Sequence, residues 1–143
     1  MIAIADTSYV VAVTVQTDQW HEKCLAIHRQ HNLIYLPQTT LAEVAYLIGR
    51  EGGNLAVWQF LSELPTSKYR LVALDPDDLM RTAEILKQYA DARLDFVDAT
   101  VMAVAERMDI SRILTLDQRD FSIVRPRHRD YFELLPQSYS PLT

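Results

Sequence analysis

Four carboxylates stand inside apolar stretches of the chain: Ile4-Ala5-Asp6-Thr7-Ser8, Leu41-Ala42-Glu43-Val44, Phe96-Val97-Asp98-Ala99 and Leu114-Thr115-Leu116-Asp117. A charge in such surroundings is costly unless something compensates it. Four acids with no matching buried cation point to a bound metal ion as the missing positive charge. An all-oxygen donor set suits Mg²⁺ or Mn²⁺; Ca²⁺ fits such ligands but is inert in most such chemistry. Mg²⁺ held this way can generate hydroxide from bound water and neutralise charge at a phosphoryl centre. Two ions about 4 Å apart would also stabilise the leaving oxygen.

The neighbours of these acids fit the same chemistry. Thr7, Ser8 and Thr115 flank them and can orient their oxygens by hydrogen bonds. Arg119 follows Asp117 closely and suits bidentate anion binding, so it is a candidate phosphate contact. Asp95 lies three residues before Asp98 and reads first as a helix cap. Asp120 reads first as a turn or salt-bridge residue. Both stand behind the four as further candidate metal ligands.

The elements needed to gather these acids are legible. Residues 2–5 form a first strand ending at Asp6, and Ser8 to Val13 begins a short helix. Asp18 can cap a second helix through about His31, burying Trp20, Cys24 and Ile27. Leu33 to Leu36 is a strand closed by Pro37. Thr39 or Thr40 caps a helix carrying Leu41, Val44, Ala45 and Ile48, and Gly52-Gly53 separates it from another ending near Leu64. Tyr69 to Leu74 is a strand. Asp75-Pro76 opens a helix to about Tyr89 with Leu79, Ala83, Leu86 and Tyr89 inward. Phe96 to Met108 is helical, Arg112 to Leu116 is a strand ending at Asp117, and Tyr131 to Leu135 is a final edge strand.

Strands separated by helices give an α/β fold, a three-layer α/β/α sandwich whose central sheet has four or five mostly parallel strands. Ligands in such folds bind beyond the carboxyl ends of the strands, where Asp6 and Asp117 fall. Glu43 and Asp98 occupy first turns of helices, where the dipole and unpaired amides favour an anion. If both helices start at that edge, all four acids converge.

Composition narrows the classes. A chain of 143 residues, 49% hydrophobic and 23% charged, reads as one globular domain over residues 1–143. Three glycines leave no Gly-rich phosphate loop, and one cysteine, Cys24, leaves no disulfide or multi-cysteine zinc site. Cys24 reads as a buried thiol. His21, His28 and His31 lack a third zinc ligand and read as surface residues. Trp20, Trp58, Tyr46 and Leu47 read mainly as core. No apolar run is long enough to cross a membrane, and the start reads as a strand rather than a signal, so a cytoplasmic protein is expected.

The net charge of −5 hides an asymmetry: Arg107, Arg112, Arg119, Arg125, Arg127 and Arg129 crowd the last third. That region is expected to hold phosphates near the acids, with Arg125, Arg127 and Arg129 joining Arg119 as candidate phosphate contacts.

Taken in order, these motifs resemble those of PIN-domain nucleases. They are Asp6-Thr7-Ser8 after the first strand, Glu43 in Thr40-Leu41-Ala42-Glu43-Val44, Asp98-Ala99 opening a helix, and Ile113-Leu114-Thr115-Leu116-Asp117-Gln118-Arg119-Asp120-Phe121. The resemblance spans nearly the whole chain and is nearest to virulence-associated protein C toxins of type II toxin–antitoxin pairs. It implies a Mg²⁺-dependent endoribonuclease with Asp6, Glu43, Asp98 and Asp117 as the metal-holding acids. It also implies a cognate antitoxin and a homodimer. The alternatives are a PIN-like scaffold that only binds RNA or protein, and a phosphotransfer domain. The latter is disfavoured because no second acid follows two residues after Asp6 and no lysine ends a late strand.

Overall fold

The computed structural model describes residues 1–136. Its elements are β1 (Ile2–Ala5), α1 (Thr7–Thr14), α2 (His21–Gln30), β2 (Leu33–Pro37), α3 (Leu41–Glu63), β3 (Tyr69–Val72), α4 (Pro76–Gln88), α5 (Phe96–Arg107), β4 (Arg112–Leu114), α6 (Gln118–Ser122) and β5 (Glu133–Leu135). Short 3-10 turns, Gln38–Thr40 and Leu64–Thr66, flank α3. The five strands form one sheet in the order β3-β2-β1-β4-β5. Every pairing is parallel, with Ile4 opposite both Tyr35 and Ile113. The sheet expected to be mostly parallel is wholly so.

Alternation along the strands builds two cores. Ala3, Ala5, Ile34, Leu36 and Leu114 face α1, α2 and α3, packing on Tyr9, Val10, Cys24 and Val44. Ile4 and Ile113 face the other way, onto Ile85, Val101, Met102 and Phe121 from α4, α5 and α6. Helices on both faces of a parallel sheet make the three-layer arrangement. Cys24 is buried, as expected of a lone thiol.

Several elements differ from the sequence expectation for identifiable reasons. On α4 the buried stripe is Asp78, Thr82 and Ile85, while Leu79 and Ala83 are exposed. The stripe is displaced because Asp78 turns inward to accept from Arg107 Nε at 2.9 and 3.0 Å. His31 is buried rather than superficial, its Nδ1 against the Ile27 carbonyl at 2.8 Å. His28 packs on the Tyr9 hydroxyl at 2.9 Å. Trp58 and Tyr46 are exposed, not core. Thr40 spends its hydroxyl on the Pro37 carbonyl instead of capping α3.

The glycine pair does bend α3. Gly53 has φ of 71°, a left-handed conformation that breaks the helix within its span. The two halves then approach so closely that a Cβ on Gly52 would sit 2.7 Å from that of Ala56.

Candidate metal centre

Asp6 is delivered by the end of β1, and its amide donates to the Leu114 carbonyl of β4 at 3.1 Å. It also caps α1, its Oδ1 accepting from the Tyr9 amide at 3.3 Å. Asp98 is the third residue of α5. Its amide donates to the Asp95 carboxylate at 2.9 Å and its own carboxylate accepts from the Asp95 amide at 3.4 Å, a reciprocal capping box. Asp95 is therefore the cap that its spacing suggests. Asp117 precedes α6, a short helix the hydrophobic pattern does not reveal.

These segments bring one carboxylate oxygen each from Asp6, Asp98 and Asp117 within 4.8 Å of one another. Glu43, in the first turn of α3, stands beside the trio, and its Oε1 accepts from the Thr7 hydroxyl at 2.7 Å. That bond ties Glu43 to the residue after Asp6, but no Glu43 oxygen joins the group within 4.8 Å, so the structure brings together three of the four expected acids. Among the described residues, no lysine or arginine forms an ion pair with any of the four.

Two hydroxyls fix the buried member. Ser8 Oγ donates to Asp6 Oδ1 at 2.8 Å and accepts from the Leu116 amide at 2.9 Å. Thr115 Oγ1 donates to Asp6 Oδ2 at 2.6 Å and accepts from the Asp117 amide at 2.9 Å. Each hydroxyl thus ties an oxygen of Asp6 to the backbone leading to Asp117. The amides of residues 116 and 117 are invisible to any reading by side-chain type; a hydroxyl residue two before Asp117 is the signal that could have flagged them.

Crowding these acids makes their ionisation costly. Burial pushes Asp6 up to about 7, opposed by the Thr115 hydrogen bond and reinforced by Asp117. Burial, then the charges of Asp95 and Asp6, push Asp98 up to about 8. Asp117 is raised by burial and by Asp120, Asp95 and Glu43. Asp120 and Asp95 therefore lie near enough to act on the trio through their fields. Carboxylates held this way either keep protons or gather around a cation. The donor set fits a metal ion: Asp6, Asp98 and Asp117 could hold it, with Glu43 near enough for its charge to act on Asp117.

The basic candidates of the C-terminal run are each engaged by a different acid. Arg127 pairs with Glu84 and donates its amide to Glu106, near the far end of α5. Arg129 pairs with Asp109 and Arg125 with Asp130. Glu106 is eight residues beyond Asp98, about 12 Å along the helix. Arg119 is the second residue of the five-residue α6, exposed and with no ion pair among the described residues.

A five-stranded parallel sheet with carboxylates converging at one edge is the architecture of the PIN domain. Residues 3–125 match that family, and the chain belongs to it. The ribonuclease VapC26 of Mycobacterium tuberculosis is 29% identical over 136 residues, 93% of this chain and 99% of that protein. Among solved structures, VapC20 of M. tuberculosis, described as a sarcin-ricin loop cleaving toxin, is similar with a TM-score of 0.72 at 21% identity. That match covers 78% of this chain and 86% of the other. A toxin–antitoxin complex from Klebsiella pneumoniae is similar with a TM-score of 0.64 at 16% identity, over 85% of this chain and 92% of that one. Among the described residues no helix is long and apolar enough to cross a membrane.

Proposed function

We propose that the chain is a Mg²⁺-dependent endoribonuclease that hydrolyses phosphodiester bonds with metal-activated water, Mn²⁺ being able to substitute. The observation that carries this reading is the trio of carboxylates with oxygens inside 4.8 Å, none of them paired with a lysine or arginine among the described residues. When bound, the ion would lower the pKa of a coordinated water and offset charge on the reacting phosphate. Asp6, Asp98 and Asp117 would hold it, with Glu43 as the fourth acid. Ser8 and Thr115 hold both oxygens of Asp6 in one orientation, and Thr7 does the same for one oxygen of Glu43. Arg119, two residues beyond Asp117, is a proposed phosphate contact.

The similarity to VapC26 and to a toxin–antitoxin complex supports the toxin role, with a cognate antitoxin as partner and RNA as substrate. A homodimer in the cytoplasm fits the same reading. The test is RNA degradation by the purified protein with Mg²⁺, with EDTA, and in the Asp6→Asn and Asp98→Asn variants. Cleavage should need the ion and fall at least a hundredfold in each variant. Equal degradation by wild type and variants would mark the activity as a contaminant and end the proposal.

A further inference from the structure

We infer that Arg93, Phe96 and Arg119 form a lip beside the acid cluster that holds single-stranded RNA, the guanidinium groups on backbone phosphates and the Phe96 ring against a base. The inference rests on the nuclease reading and specifies its substrate contacts.

Most arginines of the last third are already engaged by acids. Of the six in the last third, Arg107 pairs with Asp75 and Asp78, Arg112 with Glu133, Arg125 with Asp130, Arg127 with Glu84 and Arg129 with Asp109. A paired arginine presents almost no net charge to an approaching phosphate, so the basic run contributes little field. Arg119 is the exception. Arg93, which sequence spacing did not single out, is also exposed and makes no ion pair or side-chain hydrogen bond among the described residues.

Position selects the same two residues. Arg119 is two residues beyond Asp117, and Arg93 is two residues before Asp95, the cap bonded directly to Asp98. Two residues of chain span at most about 7 Å, within reach of a long side chain. A protein of net charge −5 that gathers three carboxylates at its site repels RNA there. Two cations free of ion pairs among the described residues, one near the Asp95 cap and one near Asp117, offset that repulsion.

Phe96 adds the second element of a single-strand site. It opens α5 one residue after Asp95 and is 48% exposed, whereas every residue from Ala99 to Ala105 is buried. Cationic grooves interleaved with exposed aromatic rings are how proteins hold single strands, and RNA read this way must be unpaired.

The test is binding of a short fluorescent single-stranded RNA, with Ca²⁺ replacing Mg²⁺ to hold off cleavage, over a series of salt concentrations. Replacing Arg93 and Arg119 together by Ala should flatten the slope of log affinity against log salt by about 1.4, two lost phosphate contacts at about 0.7 each. Phe96→Ala should weaken binding roughly 5- to 100-fold with the slope unchanged. Mn²⁺ affinity and melting temperature, read on the same variants, should stay at wild-type values. An unchanged slope in the Arg93/Arg119 variant overturns the inference, as does a slope that falls instead when Arg125, Arg127 and Arg129 are replaced. Those results leave the nuclease reading standing if the wild type cleaves RNA. A wild type that neither binds nor cleaves RNA removes both.

Discussion

Raising the pH should weaken the metal-free protein, because its acids hold their protons more tightly folded than unfolded. Asp6 releases its proton near 3.8 in the unfolded chain and near 7 in the folded one. Between those values the native state binds a proton that the unfolded state has lost, so stability falls as pH rises. At roughly 1.4 kcal/mol for each tenfold difference, Asp6 alone is worth roughly 4 kcal/mol across that range. His28 works in the opposite sense. Burial, then Lys68 and His31, hold it down to about 4 from 6.5, so its contribution grows as pH rises through that interval. The informative window is therefore pH 6.5 to 8, above the histidine. There Asp6 and Asp98 together should remove about 1 to 2 kcal/mol, with the Asp98 share halved for its partial exposure to solvent. For a chain of this size that is a fall of roughly 3 to 8 °C in melting temperature. Circular-dichroism melts in EDTA at pH 6.5, 7, 7.5 and 8 would measure it. Mg²⁺ at a hundredfold its dissociation constant should restore about 2.7 kcal/mol. Asp98→Asn should flatten the dependence and stabilise the metal-free protein at pH 8. A metal-free melting temperature that holds level or rises from pH 6.5 to 8, or that millimolar Mg²⁺ leaves unmoved, would refute the electrostatic account of the cluster.

Thr115→Val should remove a donor to buried Asp6 and the acceptor of the Asp117 amide. That change should raise the Asp6 pKa further and weaken Mn²⁺ binding at pH 7 about tenfold, with Thr115→Ser restoring it; calorimetric titration giving equal affinities for all three proteins would contradict the role assigned to this hydroxyl. Arg107→Ala strips the charge partner from buried Asp78 and should cost about 3 kcal/mol in urea unfolding at pH 7, with Mn²⁺ affinity intact. A loss below about 1 kcal/mol would show that the Asp75–Asp78 capping box is partner enough.

The acids were legible because chain topology governs where they go. A residue that ends a parallel strand or begins the helix after it is carried to the carboxyl edge whatever its side chain does. Asp6 follows β1 and Glu43 opens the helix after β2, so both obey this directly; Asp98 opens α5, which follows α4 and leads into β4, and Asp117 follows a strand two residues shorter than its apolar run suggests. Helix phase was less legible. The apolar pattern of α4 favours Leu79 and Ala83 inside, but a buried ion pair at Asp78 and a Thr82 hydroxyl bonded to the Asp78 carbonyl at 2.7 Å turn another face inward. Polar residues that bury by finding a partner, His31 among them, defeat any reading that equates polarity with surface.

The basic surface shows the opposite case for a related reason. Counting arginines along the last third predicts a positive region, yet charge in a folded protein sums through space rather than along the chain. Arg127 meets Glu84, 43 residues away in sequence, and Arg129 meets Asp109, 20 residues away. Nothing in the run Arg125-Pro126-Arg127-His128-Arg129 announces those partners. Long flexible cations are placed by whichever acid the fold leaves within reach, and no strand-end rule fixes them. Arg93, isolated in a polar loop, gives no signal by count; its lack of an ion pair among the described residues and its closeness in sequence to the Asp95 cap distinguish it. Where backbone direction decides position, sequence is enough to assemble a site. Where side-chain pairing decides which charges stay available, the folded structure has to be consulted first.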